Sequence, residues 1–282
     1  MTTSDLINAP LLLGRYRPEE LLARGGSASV YRAKDLHLGR DVAVKVFLAG
    51  SEDALDIARE ELRVLAALAH HHGIVQVFDA GIDESTPSDP RPFLVMELVT
   101  GRSVRELIAD DALTDVSIGS IAFETAEALE YVHRNGIVHR DISPGNILLV
   151  DYGSEVTRPR ARLTDFGLAV DGEWEPPDDG MVDGTIPYLS PEQVLKHRLT
   201  PASDIYSFGL VLLECFTRTP AFPGRSTEAA MARTERDPEI GREVPKPWRG
   251  LLTAMTRQHA EERPSAAEVL EQVRQILRRQ GR

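Results

Sequence analysis

His139-Arg140-Asp141-Ile142-Ser143-Pro144-Gly145-Asn146 places a carboxylate and a carboxamide five positions apart in one short segment. Nineteen positions after Asn146 comes Asp165-Phe166-Gly167, which carries a second carboxylate. Either motif alone would occur in a chance loop. Their order and separation, downstream of a lysine on an apolar strand, carry the weight.

Upstream, the first third of the chain reads as strands. Val42-Ala43-Val44-Lys45-Val46-Phe47 is short, β-branched and bounded by polar residues, as a strand should be. Ile74-Val75-Gln76-Val77-Phe78 and Phe93-Leu94-Val95-Met96 are two more, separated by a turn-forming connector from Asp83 to Pro92. Leu62, Leu65 and Leu68 recur at helical spacing within a helix expected from roughly Asp53 to Ala69. Lys45 would be costly to bury without an acidic partner. Glu61 is the candidate, because it shares the inward face of Leu65 and Leu68, whereas Glu60 points elsewhere. In Leu22-Ala23-Arg24-Gly25-Gly26-Ser27-Ala28-Ser29-Val30, small residues let a backbone loop approach a polyphosphate and aim N–H groups at it.

After Thr100-Gly101 the character turns helical. Ile118, Ile121, Ala122, Thr125, Leu129 and Val132 line one face, and Gly136 follows as a stop. Ser265-Ala266-Ala267-Glu268 is a capping box, and the helix it opens ends in Arg278 and Arg279, favourable for the helix dipole. The fold class is α+β, with a small sheet-rich lobe ahead of a larger helical one.

Composition narrows the function. The 282 residues hold 42% hydrophobic and 27% charged side chains, which is ordinary for a globular protein. A formal net charge of −12 argues against general nucleic-acid binding, which needs an excess of Lys and Arg. Cys215 is the only cysteine, so no internal disulfide forms and a structural thiol in a reducing, cytoplasmic setting is expected. Met1-Thr2-Thr3-Ser4-Asp5 lacks the basic start and apolar stretch of a signal peptide. No segment reaches the length of a membrane helix, so a soluble chain is expected.

The full H-R-D-x-x-x-x-N spacing at His139 to Asn146, followed by Asp165-Phe166-Gly167, resembles the protein kinases. The likeness covers about residues 16 to 276 and is closest to bacterial Hanks-type serine/threonine kinases. It implies a bilobal kinase domain, with an N-lobe over about 16–99 and a C-lobe over about 100–276. Residues 1–15 are then an extension and 277–282 a basic tail. The reaction implied is transfer of the γ-phosphate of ATP, with Mg²⁺, to serine or threonine hydroxyls of protein substrates in signalling. By that resemblance Asp141 is the catalytic base, and Asn146 and Asp165 hold Mg²⁺. Lys45 holds the α- and β-phosphates and pairs with Glu61.

The same resemblance places the nucleotide under the loop of Ala23, Gly25 and Gly26. The adenine lies beneath Val30 and Ala43 against Met96 at the gatekeeper position, and backbone groups of Glu97 and Val99 bond its edge. Gly184 to Glu192 looks like the segment that seats the substrate peptide. Within it Thr185, two residues after Asp183, favours serine/threonine over tyrosine specificity and contacts the catalytic aspartate. Glu192 would pair with Arg263, and Asp204 would brace the catalytic loop.

The chain departs from the family pattern in three places. Ala23 and Ala28 stand where the Gly-rich loop has its first and third glycines. Ser143 and Gly145 occupy the two positions where the catalytic-loop cation of these kinases is found, which leaves open a pseudokinase that binds ATP with weak or no transfer. From Leu168 to Gly184 there is no Ser, Thr or Tyr to phosphorylate, so a fixed carboxylate, first Asp179, is expected opposite Arg140. His70-His71-His72 is read as a turn and not as a metal site, since consecutive residues on a regular element cannot converge on one ion. The oligomeric state is not legible.

Overall fold

Buried and half-buried positions alternate along residues 29–35, and residues 42–47 are buried without a break. These are the marks of a sheet strand beside its more deeply covered neighbour. The computed structural model describes residues 11–25, 28–48, 54–69, 71–84, 90–150, 160–171, 185–223 and 227–280. The fold is α+β, in two units: Met1–His70 with Val75–Val99, and His71–Ile74 with Thr100–Arg282.

The first unit contains β1 (Tyr16–Arg24), β2 (Ala28–Asp35), β3 (Arg40–Phe47), α1 (Ala54–Ala67), β4 (Val77–Asp83) and β5 (Arg91–Met96). Its strands form one antiparallel sheet in the order β1-β2-β3-β5-β4. Tyr16, Tyr31, Val42, Val44, Phe93 and Val95 close a core cluster on it. The helix expected from Asp53 to Ala69 is observed as α1.

The strand expected at Ile74 to Phe78 is displaced. Ile74 instead makes an isolated bridge to Leu163, and β4 begins at Val77 and runs through Asp79 and Asp83. Two acids in a strand look unfavourable locally. Here Tyr16 Oη donates to Asp79 at 2.6 Å and Arg91 donates to Asp83 at 2.8 Å, so distant donors satisfy them.

The second unit contains β6 (Gly101–Ser103), α2 (Val104–Ala109), α3 (Asp115–Arg134), β7 (Ile137–Val138), β8 (Ile147–Val150), β9 (Arg160–Leu163) and β10 (Val170–Asp171). It continues with α4 (Pro191–Val194), α5 (Pro201–Thr217), α6 (Thr227–Glu235), α7 (Lys246–Met255) and α8 (Ala266–Gln280). Two small ribbons, β6-β8-β9 and β7-β10, sit among these helices. α3 ends at Arg134 with Asn135 as its cap, and Gly136 takes the left-handed φ of +76° that a helix stop favours. The Ser265–Glu268 capping box is present, with Ser265 N donating to Glu268 Oε2 at 2.8 Å. α5 is buried from Ser203 to Cys215. Burial pushes the Cys215 thiol well above its ordinary pKa, so it stays protonated and unreactive.

Candidate active site

β7 and β8 bracket the loop from His139 to Asn146, and partners from several elements hold it. Asp204, in the first turn of α5, accepts from His139 N at 2.9 Å and from Arg140 N at 2.8 Å. The same carboxylate lies 2.8 Å from His133 Nε2. Burial pushes the Asp204 carboxyl up, but the hydrogen bonds from the His133 side chain and the His139 backbone help hold it below the ordinary value. Gln193 Nε2 donates to Arg140 O at 2.8 Å, and Arg105 N donates to Pro144 O at 2.9 Å. These contacts keep Arg140 at φ +70°, a left-handed conformation that costs a residue with a Cβ about 1–2 kcal/mol.

Within the loop, Asn146 Nδ2 donates to both the carbonyl and Oδ2 of Asp141, each at 2.8 Å. Thr185 donates its N–H and its hydroxyl to Asp141 Oδ1, each also at 2.8 Å. One carboxylate is thus fixed by three hydrogen bonds, its remaining lone pairs open to a further donor. His139 is fully buried, with Nδ1 accepting from Asp141 N at 3.3 Å and Nε2 lying 3.2 Å from Thr164 O. It packs against Phe166 at 4.5 Å between ring centroids and serves as a structural member of the loop.

Thr164 N donates to Asn146 O at 3.0 Å, which places Asp165 beside the loop. Asp165 is exposed at φ +62°. Since the Asn146 amide nitrogen is spent on Asp141, its Oδ1 is the atom that can meet a cation. Together with the Asp165 carboxylate this is an all-oxygen donor pair, and it fits Mg²⁺.

In the first unit, Lys45 Nζ donates to both Glu61 oxygens, at 2.8 and 2.7 Å, and both side chains are buried. Cross-strand pairing sets Ala23 opposite Val30, Val30 opposite Lys45 and Ala43 opposite Met96. Gly25 N donates to Ala28 O at 2.8 Å, and Gly26 lies outside the described residues. Met96 and Ala43 are buried, Val30 and Val99 half-buried, and Ala23 and Gly25 exposed. Glu97 N donates to Gln76 O at 2.8 Å. His70, Asp179, Asp183 and Gly184 also lie outside the described residues.

After Thr185, Tyr188 Oη donates to Glu214 Oε2 at 2.6 Å. Arg263 makes a buried two-pronged ion pair with Glu192, at 2.7 and 2.9 Å. Sequence reasoning missed three residues around the loop: His133, Gln193 and Arg105. The Arg105 Nε would stand 3.2 Å from a Cβ built on Gly145, so its guanidinium covers the loop. Only a contact map could have found them, because each lies on a helix remote in sequence from the group it holds.

The chain belongs to the protein kinase domain family, whose sequence pattern matches residues 16–273. It is similar to the serine/threonine-protein kinase PknA of Mycobacterium tuberculosis, 36% identical over 248 residues, which is 86% of this chain and 56% of the relative. It is also similar to PknB of the same organism, 35% identical over 240 residues, or 80% of this chain and 36% of that protein. The chain therefore spans about half or less of the length of these relatives. Among the described residues, no helix is long and apolar enough to cross a membrane.

Proposed function

We propose that the chain transfers the γ-phosphate of ATP to serine or threonine hydroxyls of other proteins, as a bacterial signalling kinase acting in the cytoplasm. The observation that carries this reading is the Asp141 carboxylate clamped by Asn146 and Thr185. A base so oriented accepts the proton of an incoming hydroxyl, a contribution of about 10²–10⁴ in rate. Lys45, kept extended by Glu61, would hold the nucleotide phosphates, and Val30, Ala43 and Met96 would cover the adenine, with Ala23, Gly25, Gly26, Glu97 and Val99 along its edge. Asn146 and Asp165 would hold Mg²⁺, which when bound supplies neutralisation of phosphate charge. The kinase domain would run over about 16–276, and a chain of net charge −12 would not act on nucleic acid. The names of the two mycobacterial relatives support the serine/threonine specificity.

The transfer-deficient alternative rests on Ser143 alone, and no observation favours it. Incubation with labelled ATP, Mg²⁺ and a generic protein acceptor, followed by phosphoamino-acid analysis, tests the proposal. The wild type should label serine or threonine, and Asp141→Asn should lose at least about 10²-fold in kcat while melting as the wild type does. If Asp141→Asn retains most of the activity, the role given to that carboxylate is wrong.

A further inference from the structure

We propose that His71, His72 and Glu127 form a binding site for a transition-metal dication of the zinc class, separate from the phosphotransfer groups. The sequence argument against such a site assumed a regular element, and the structure removes that assumption. His71 and His72 belong to a turn, outside any helix or strand. Gly73 O accepts from Leu163 N at 2.8 Å, and Ile74 bridges to Leu163. A Cβ on Gly73 would come within 3.1 Å of the Ala128 Cβ, so the turn lies directly on α3 with little room for a side chain there.

Ring stacking sets where the two imidazoles point. His71 stacks on Tyr131 of α3 at 4.7 Å, and His72 stacks on His71 at 4.8 Å. Glu127 is one helical turn before Tyr131, on the same face. As a result one nitrogen from each histidine and one Glu127 oxygen lie within 4.8 Å of one another. His72 Nε2 is 3.2 Å from Glu127 Oε2. Around an ion bound at about 2.0–2.1 Å, tetrahedral ligand atoms stand roughly 3.4 Å apart, so side-chain torsions close the difference.

The donor set selects the class of ion. Two imidazoles and a carboxylate prefer zinc, cobalt, nickel or copper to the hard ions Mg²⁺ and Ca²⁺. His72 is exposed, so water can take the fourth position, as in open zinc sites.

Two features weaken the site and make the ion exchangeable. Gly73 N donates to His71 Nδ1 at 3.1 Å. Ligation through Nδ1 takes that lone pair, and ligation through Nε2 moves the ring proton onto Nδ1. Either way this hydrogen bond is given up for the metal bond. Arg160 Nη1 lies 3.4 Å from His72 Nε2, but it donates to both Glu124 oxygens at 3.0 Å. The guanidinium therefore has its own carboxylate, and Glu127 serves the ion. Occupancy would lock the turn and the end of β9 onto α3, two residues before Asp165.

Titration of tag-free protein, without nucleotide, with Co²⁺ followed by visible absorption and with Zn²⁺ by calorimetry tests this. The wild type should show one saturable site and a melting temperature that rises with Zn²⁺, unaffected by millimolar Mg²⁺. His72→Ala and Glu127→Gln alter surface side chains and should melt normally without metal. Each should weaken binding by at least about tenfold, the scale at which even supporting groups act, and lose the thermal shift. A wild type without a saturable cobalt band would overturn the proposal, as would either variant binding as tightly as the wild type. Phosphoryl transfer enters none of these readouts.

Discussion

Asp204→Asn isolates what holds the catalytic loop. The native carboxylate gives Oδ1 to Arg140 N and Oδ2 to both His139 N and His133 Nε2. Asparagine offers one oxygen, and its best placement keeps the two-bond side and turns an NH₂ toward the Arg140 N–H. One charge-assisted bond worth about 1.5–3 kcal/mol is lost, and a buried donor is left unsatisfied at about 1–3 kcal/mol. The sum is about 2.5–6 kcal/mol, or about 5–24 °C in Tm at 2–4 °C per kcal/mol. Arg140 no longer has a reason to stay at positive φ, and Asp141 follows it. A shift of about 1 Å in a reacting group costs about 10²-fold, so kcat should fall by that order with ATP KM little changed.

The deficit should depend on pH in one direction. The folded Asp204 pKa lies below the unfolded value of about 3.9. Its stabilisation is therefore complete above that value and fades as pH falls through the folded pKa. Calorimetry should find the variant's deficit constant from about pH 5 to 8 and smaller in stronger acid. A variant within about 2 °C of wild type, with unchanged kcat, would refute the claim that Asp204 positions the loop.

Two further predictions concern its neighbours. Ser143→Lys should raise kcat about ten- to a hundredfold, the worth of one charge-assisted bond of about 1.5–3 kcal/mol, with little change in ATP KM. Ser143 is buried, so the lysine must lead its head group out of the loop. An unchanged rate would mean that another cation already serves, Arg105 beside Gly145 first, and Arg105→Gln would then lower kcat. For Glu214, burial raises the carboxyl pKa against the opposing hydrogen bond from Tyr188. Ionising it as pH rises above the unfolded value of about 4.3 costs the folded state stability. Glu214→Gln, whose carbonyl still accepts from Tyr188, should melt higher than wild type at pH 7 and lose that advantage near pH 4. A Tm difference independent of pH would contradict the assignment.

Much of the fold was readable because its signals are local. Val42 to Phe47 and the face from Ile118 to Val132 advertise strand and helix by periodicity, and Ser265 with Glu268 marks a helix start within four residues. Glu61 could be chosen over Glu60 for Lys45 because helical spacing alone separates their faces. The strand from Val77 to Asp83 could not be placed, because Asp79 becomes tolerable through Tyr16 and Arg15, both remote in sequence. The left-handed backbone at Arg140 and Asp165 was equally hidden, since neither residue type announces it.

The sequence by itself determined the order of elements, the family resemblance and the residues to examine, since spacing along a chain constrains what one helix face or one loop can present. Only the tertiary structure decided which groups meet. Thr185 reaches Asp141 across 44 positions and Asp204 reaches His139 across 65. His71 and His72 find Glu127 because a glycine turn lies on a helix. Such contacts form when burial of apolar faces pays the entropy of closing long loops, and that balance belongs to the whole fold and to no single segment.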